Sequence, residues 1–201
     1  MINHTDNLQV QENACLTLSN RVAATPSLTK LIGEGEDHLL PLHLTVFAAL
    51  NIHAGNTYVF RAACEAIYEM CKHSKELQQY FHMKGASSSI IKEMRACPGD
   101  VDVHRWGFKA LRSLAYNNPF QVELMFYEEV LSVIYEDMKV FSSDVNVLKE
   151  GIGLLVCLAT DLEIVLRQCM AMKIPELLLK IMKEHCDFPS FIETSLEAIG
   201  K

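Results

Sequence analysis

The chain has 201 residues, of which half are apolar and 21% are charged, so a sizeable core is expected and extensive disorder is excluded. Its formal net charge of −7 disfavours a general nucleic-acid binder, which needs a basic face to neutralise phosphates. No apolar run approaches the roughly 20 residues that cross a bilayer, and the N-terminal sequence MINHTDNLQV lacks the features of a signal peptide.

The seven cysteines predict reduced thiols rather than a disulfide framework. Their number is odd, no CxxC pair occurs, and most of them lie in apolar helical runs. We therefore expect a cytoplasmic location, with the nucleus as an alternative. Cys64 and Cys71 lie seven residues apart with His73 close behind, but a metal site would need two further converging ligands. No metal site is predicted.

Helical periodicity runs along nearly the whole chain, and no segment alternates long enough to predict a strand. The predicted breaks contain turn-forming residues, some of which are N-caps: ATPS, GEGED, HAGN, KGASSS, CPGD, NNP, FSSD and CDFPS. GEGED lacks the spacing of a P-loop or an EF-hand and is predicted to be a loop. The segment KELQQYFHMKGASSSIIKEM predicts a short helix, a stop at Gly85, serine caps and a medium helix. DLEIVLRQCMAMKIPELLLKIMKEH predicts the same pair, with Pro175 early in the second helix.

Five helical segments share one register. The residues that align them, here called anchors, are Val10, Val59, Val103, Val147 and Phe191, which are 49, 44, 44 and 44 residues apart. Four residues after each anchor stands a small residue: Ala14, Ala63, Gly107, Gly151 and Ser195. Eight residues after each anchor stands an aliphatic one: Leu18, Ile67, Leu111, Leu155 and Ile199. These positions share one helix face, and a period in the forties predicts a helical solenoid.

A unit of three helices, with a glycine between the first two and a third helix of the form V-x-x-x-A-x-x-A-L-x-x-L, resembles the armadillo repeat. VQENACLTLSN from Val10 and GASSSIIKEM from Gly85 carry the resemblance best. It implies an all-α right-handed superhelix with about four repeats after a leading helix, in units 8–24 (partial), 25–73, 74–117, 118–161 and 162–201 (truncated). Because neither end shows a polar capping helix, we expect a fragment or short isoform of a longer protein.

The resemblance also implies that the third helices line a concave groove, with the third, sixth and tenth residues after each anchor facing it. Nuclear-import adaptors of the family carry Trp at the sixth and Asn at the tenth position. The corresponding pairs here are Leu16/Asn20, Glu65/Glu69, Lys109/Ser113, Gly153/Cys157 and Glu197/Lys201. Only Asn20 matches, so an import adaptor is disfavoured.

Other members of the family hold acidic partners with rows of basic residues. Lys109, with Arg105 and Arg112 on the same helix, resembles such a row locally, but Glu65, Glu69 and Glu150 interrupt it. Trp106 stands at the third position after its anchor. It is either an exposed aromatic anchor for a partner or a core residue between repeats, and the core interpretation is slightly favoured. Aromatic and arginine residues are the usual interface hot spots.

These observations predict a non-catalytic scaffold that binds a peptide or helix of another protein in its groove. The candidate partner-binding residues are Arg105, Trp106, Lys109, Ser113, Glu65, Glu69 and Asn20. The alternative is a regulatory array of a larger enzyme, such as a kinase, whose catalytic domain lies outside this chain. No GxSxG, HExxH or kinase motif occurs, so no catalytic residue, cofactor or small-molecule substrate is predicted.

Overall fold

A computed structural model of the chain describes residues 2–33 and 42–200. These residues form thirteen α-helices and one 3-10 helix, and they contain no β-strand. The predicted all-helical fold is confirmed. Of the predicted GEGED loop, only Gly33 is described, as the last residue of a helix, and the other four residues lie outside the described ranges.

After the first α-helix, the helices form successive groups of three. After the 3-10 helix Ile2–His4, the helices are α1 Leu8–Ala24, α2 Leu28–Gly33, α3 Leu42–Ile52, α4 Thr57–His73, α5 Lys75–Met83, α6 Ala86–Ala96, α7 Val101–Ala115, α8 Pro119–Tyr127, α9 Val130–Val140, α10 Val145–Asp161, α11 Glu163–Ala171, α12 Ile174–Glu184 and α13 Pro189–Ile199. We call α1, α4, α7, α10 and α13 the third helices. The predicted pair of a short and a medium helix is followed by a longer third helix in α5–α7, with 9, 11 and 15 residues, and in α8–α10, with 9, 11 and 17.

Four of the third helices begin with the same cap. Asn7, Asn56, Asp100 and Asp144 each stand three residues before an anchor, and their side chains accept hydrogen bonds from the anchor N–H groups at 3.0 to 3.1 Å. Such caps satisfy backbone donors that the first turn of a helix leaves unpaired. The last of the third helices, α13, has Phe188 at this position and no side-chain cap.

The turn between the first and second helix of a unit has a left-handed residue in three copies. Gly85 has φ 71°, and the residues 44 and 88 positions later, Glu129 and Lys173, each have φ 58°. The predicted serine caps are wrong, because α6 already begins at Ala86 and no side chain caps it. Its serines lie inside the first turn, where Ser87 is buried and accepts a hydrogen bond from Gln121 of α8.

The third helices pack side by side in the order α1, α4, α7, α10, α13, and they form one continuous layer. The second helices α3, α6, α9 and α12 follow the same order in a second layer. Glycines set the distance between neighbours at two points. A Cβ on Gly107 would lie 2.6 Å from Sδ of Met94, and one on Gly151 would lie 3.1 Å from Cε2 of Phe108. Both glycines therefore lie at close contacts between helices.

Buried carboxylates on two second helices join successive units. Asp137 of α9 pairs with Nδ1 of His104 on α7, and Nε2 of the same ring contacts the carbonyl of Cys97 at 3.1 Å. Burial raises the pKa of Asp137, whereas His104 acts to lower it. Glu93, which stands 44 residues before Asp137, accepts a hydrogen bond from the N–H of Gly55 at 2.6 Å. Each carboxylate therefore fixes the start of the third helix in the preceding unit.

Candidate interaction surface

The outward side of the third-helix layer carries the predicted site. On α7 the anchor Val103 points into the core and is fully buried, as are Leu111 and Leu114. Arg105, Trp106 and Lys109 lie on the other side of the helix and are only partly buried. We call this side of α1, α4, α7, α10 and α13 the third-helix surface.

Trp106 combines the two interpretations that the sequence left open. Its ring packs against the hydrophobic core but remains partly exposed. Nζ of Lys109 stands 4.4 Å from the ring centroid, and Cζ of Arg105 stands 5.7 Å from it. Cations at these distances are attracted to the face of an indole ring. The core thus holds Trp106 in place beside two positive charges.

Glu150 of α10 lies between two cations of α7. Its Oε1 is 3.9 Å from Nζ of Lys109, and its Oε2 is 3.1 Å from Nη2 of Arg112. The side chain of Glu150 is only 13% exposed, so water screens these pairs less than it screens pairs in open solvent. In the sequence Glu150 interrupts a basic row, whereas in the structure it fixes both cations and joins α7 to α10.

Arg61 of α4 also lies between side chains of opposite charge on its two neighbouring helices, α1 and α7. No pattern in the sequence indicates this residue. Its guanidinium lies 3.6 Å from Glu12 of α1 and 3.8 Å from Asp102 of α7. Asp102 also pairs with Arg105 at 2.8 Å. Arg61 stands two residues after its anchor, which is not one of the groove-facing positions that the armadillo resemblance implies.

The remaining predicted residues do not form one cluster. Ser113 is 7% exposed, and its hydroxyl donates to the carbonyl of Ala110. Glu65 accepts a hydrogen bond from Ser19 of α1 at 3.1 Å, and Glu69 faces Lys72 and His73 of its own helix at 4.0 and 3.8 Å. Asn20 is exposed on α1, which α4 separates from α7.

The cysteine side chains are mostly enclosed by the core. Cys15, Cys64, Cys71 and Cys169 are buried, Cys97 and Cys157 are partly buried, and Cys186 is exposed. Burial raises the pKa of Cys15 to about 12 and that of Cys169 to about 11, and it also raises the pKa of Cys64 and of Cys71. These four thiols are therefore protonated and unreactive at neutral pH.

Two further observations concern metal ions and membranes. Across residues 2–33 and 42–200, no three His, Cys, Asp or Glu side chains converge closely enough to bind a metal ion. None of the helices in these ranges combines the length and the apolar composition needed to cross a lipid bilayer.

One family model matches the chain, and it covers the full sequence. The model is described as the LRRK2 ARM repeat, and the match extends over residues 1–201. It agrees with the sequential packing of the helices and with the repeated caps, turns and glycines. Repeats of this kind are typically non-catalytic protein-interaction domains. The chain belongs to the LRRK2 ARM repeat family.

Proposed function

We propose that the chain is a non-catalytic interaction module, which binds a peptide or helix of a partner protein along its third-helix surface. The observation that supports this best is the arrangement on α7, where the partly exposed ring of Trp106 lies beside Lys109 and Arg105. Large aromatic and arginine side chains at the centre of a surface are the residue types that contribute most to protein association. The core holds Trp106, Glu150 pairs with Lys109 and Asp102 pairs with Arg105, so binding would cost little side-chain entropy.

The proposal can be tested with peptides selected from a random-peptide display library against the folded protein. We expect the selected peptides to shift amide resonances of α4, α7 and α10 rather than those of the first helices α5 and α8. Trp106→Ala is expected to weaken their binding by about 2 kcal/mol. Lys109→Glu is expected mainly to slow association and to reduce its salt dependence.

A matched control distinguishes an effect of the substitution on stability from an effect on binding. Tyr127 is another exposed aromatic residue, but it lies on α8, outside the third-helix surface, so Tyr127→Ala is expected to leave binding unchanged. Thermal unfolding of both variants measures any loss of stability. Resonance shifts confined to the first and second helices would refute the proposed surface, as would a Trp106→Ala variant that stays folded and binds with unchanged affinity.

A further inference from the structure

A pocket of about 440 Å³ opens on the third-helix surface, and apart from Ser113 its described lining residues are not among the candidates that the sequence indicated. Its walls come from α4, α7, α10 and α13, and they include Tyr68, Lys72, Arg112, Tyr116, Gly153 and Glu197. Pockets that hold a ligand group typically measure about 300 to 1,000 Å³. Lys109 connects the pocket with Trp106, since its Nζ lies 5.8 Å from the ring of Tyr68 and 4.4 Å from the ring of Trp106.

The pocket is open because small residues meet there. Six residues after the anchor, α4 and α7 carry the long side chains Glu65 and Lys109, but α10 carries Gly153. A Cβ at Gly153 would lie 2.5 Å from Nη1 of Arg112, so the glycine lets the guanidinium lie directly against the α10 backbone. Ser113 and Cys157, both ten residues after their anchors, are also small and line the same pocket.

The charges in the pocket are unevenly distributed. Lys72 of α4 and Arg112 of α7 stand on one side, and Glu197, which is the only acidic residue among the described residues of the lining, stands on α13. Nη2 of Arg112 lies 3.1 Å from Glu150, and a guanidinium has five N–H donors, so Arg112 can bind a further acceptor. Lys72 is half exposed, and its nearest carboxylate among the described residues, Glu69, is 4.0 Å away. One side of the pocket can therefore hold an additional anion.

The aromatic walls suit an apolar group between these charges. Tyr68 is partly buried, while Tyr116 is 64% exposed and stands at the mouth of the pocket. Val156 and Cys157 complete the wall on α10. Pockets that combine apolar walls with a few fixed polar groups bind one side chain and orient it.

We propose that this pocket is the anchor subsite of the third-helix surface, and that it takes an apolar side chain of an acidic partner segment. The apolar side chain enters between Tyr68 and Tyr116, and a neighbouring carboxylate of the segment is held by Arg112 and Lys72. Glu197 sets the direction, because it repels a carboxylate on the α13 side. The inference rests on the proposed function and deepens it by assigning the chemistry of the partner.

The test uses four fluorescein-labelled peptides of equal length and measures their affinity by anisotropy. Three contain a central Phe flanked by Asp and Glu, by Gly and Ser, or by Lys and Arg, and the fourth is the acidic peptide with Ala in place of Phe. The acidic Phe peptide is expected to bind at least about tenfold more tightly than the basic peptide and about tenfold more tightly than the Ala peptide, differences of about 1.4 kcal/mol each. Arg112→Gln is expected to weaken its binding about fivefold or more.

Two controls make the outcome specific. Arg167 is 77% exposed on α11 and pairs only with Glu163 of its own helix among the described residues, so Arg167→Gln removes the same charge away from the pocket and is expected to leave affinity unchanged. Gly153→Ala places a methyl group against Arg112 and is expected to weaken binding without removing charge.

The outcomes separate the subsite from the wider proposal. Equal affinity for the acidic and basic peptides, full affinity in the folded Arg112→Gln variant, or no binding by any of the four peptides overturns the subsite. If display-selected peptides then still depend on Trp106 while Arg112→Gln leaves them unaffected, the third-helix surface is supported and the subsite alone is wrong. If neither substitution affects the selected peptides, both proposals fail.

Discussion

At the scale of single residues, the packing of the third helices against their neighbours depends on positions where a side chain is absent. Gly107 lies against Met94 of α6, and Gly151 lies against Phe108 of α7. In each case the neighbouring side chain occupies the space that a Cβ would need. Protein interiors are close-packed, so a larger residue at such a position has to displace its neighbours.

Gly107→Leu is expected to lower the free energy of unfolding by about 1–3 kcal/mol or more, because the added side chain overpacks the contact with Met94. Urea unfolding followed by circular dichroism measures the change. A Cβ on Gly99 would have no atom within 4 Å, so Gly99→Leu controls for the loss of glycine itself. A Gly107→Leu variant as stable as the wild type would show that the helices are not in close contact there.

The buried thiols predict a loss of stability in alkaline solution. Burial raises the pKa of Cys15 to about 12 and that of Cys169 to about 11, whereas thiols in the unfolded chain ionise near ~8.5. Their contribution to stability is therefore complete below pH ~8.5 and is lost as the pH rises towards the folded-state pKa values. Between these limits, each thiol is expected to lower the free energy of unfolding by about 1.4 kcal/mol per pH unit.

Urea unfolding in the presence of a reductant, repeated at several pH values between about 8 and 10, measures this slope. Replacing Cys15 and Cys169 together by Ala is expected to make the slope shallower. Cys186 is exposed, so Cys186→Ala is expected to leave the slope as it is. If the double variant retained the wild-type slope, these two thiols would not be the source of the pH dependence.

At the scale of helices, the turn between first and second helix keeps its left-handed residue even where glycine is absent. Gly85 adopts this conformation without steric conflict, whereas Glu129 and Lys173 adopt it at a cost of roughly 1–2 kcal/mol. The packing of the flanking helices therefore dictates the backbone of the turn. A glycine at these positions would remove the conflict, although it would also increase the entropy of the unfolded chain.

Substitutions at two of the equivalent turns test this interpretation. Lys173→Gly is expected to raise the free energy of unfolding by about 0.5–1 kcal/mol, and Gly85→Ala is expected to lower it by about 1 kcal/mol. Both changes are measured as shifts in the midpoint of urea unfolding, provided that the dependence of the free energy of unfolding on urea concentration stays the same. Because the two substitutions are predicted to have opposite signs, a loss of stability in Lys173→Gly would show that the side chain of Lys173 matters more than its backbone conformation.

The sequence predicted the helices well, and it predicted the buried positions of α4, α7 and α10, because anchors and small residues recur at fixed spacing and each copy supports the others. In α1 the buried residues are instead Gln11, Cys15, Ser19 and Val22, and in α13 the predicted Ile199 is 38% exposed. It did not predict the left-handed turns at Glu129 and Lys173, since these residue types carry no signal for that conformation. It also missed the pocket, because Tyr68 and Arg112 stand nine residues after their anchors, between the offsets that the resemblance singled out. The ion pairs of Glu150 join two helices, and their partners become evident only once α7 and α10 are placed side by side.

At the scale of the whole molecule, the substantial helix contacts join helices of the same unit or of adjacent units. Stability in such an array is approximately a sum of the terms for each unit and for each interface between neighbours. Within residues 2–33 and 42–200, the two outer third helices, α1 and α13, each have one neighbour in the layer, whereas α4, α7 and α10 each have two. Leu196 of α13 is 57% exposed, while Ile152, at the same position of α10, is fully buried.

Hydrogen exchange is therefore expected to be fastest in α1 and α13 and slowest in α7, because opening an outer helix breaks one interface in the layer and opening a central helix breaks two. Mass spectrometry of peptic fragments after timed labelling measures this order. Equal protection in α13 and α7 would mean that the array opens as a single cooperative unit.

The restriction of contacts to neighbouring units also has a kinetic consequence. The hydrogen bond between Ser19 and Glu65 closes a segment of 46 residues, and the one between His53 and Thr5 closes a segment of 48. Folding rates of small proteins fall as the mean sequence separation of their contacts grows, because longer loops lose more entropy on closure. In this chain each unit closes onto the one before it over about one repeat length, so the entropic barrier to folding is set by the repeat and not by the length of the polypeptide.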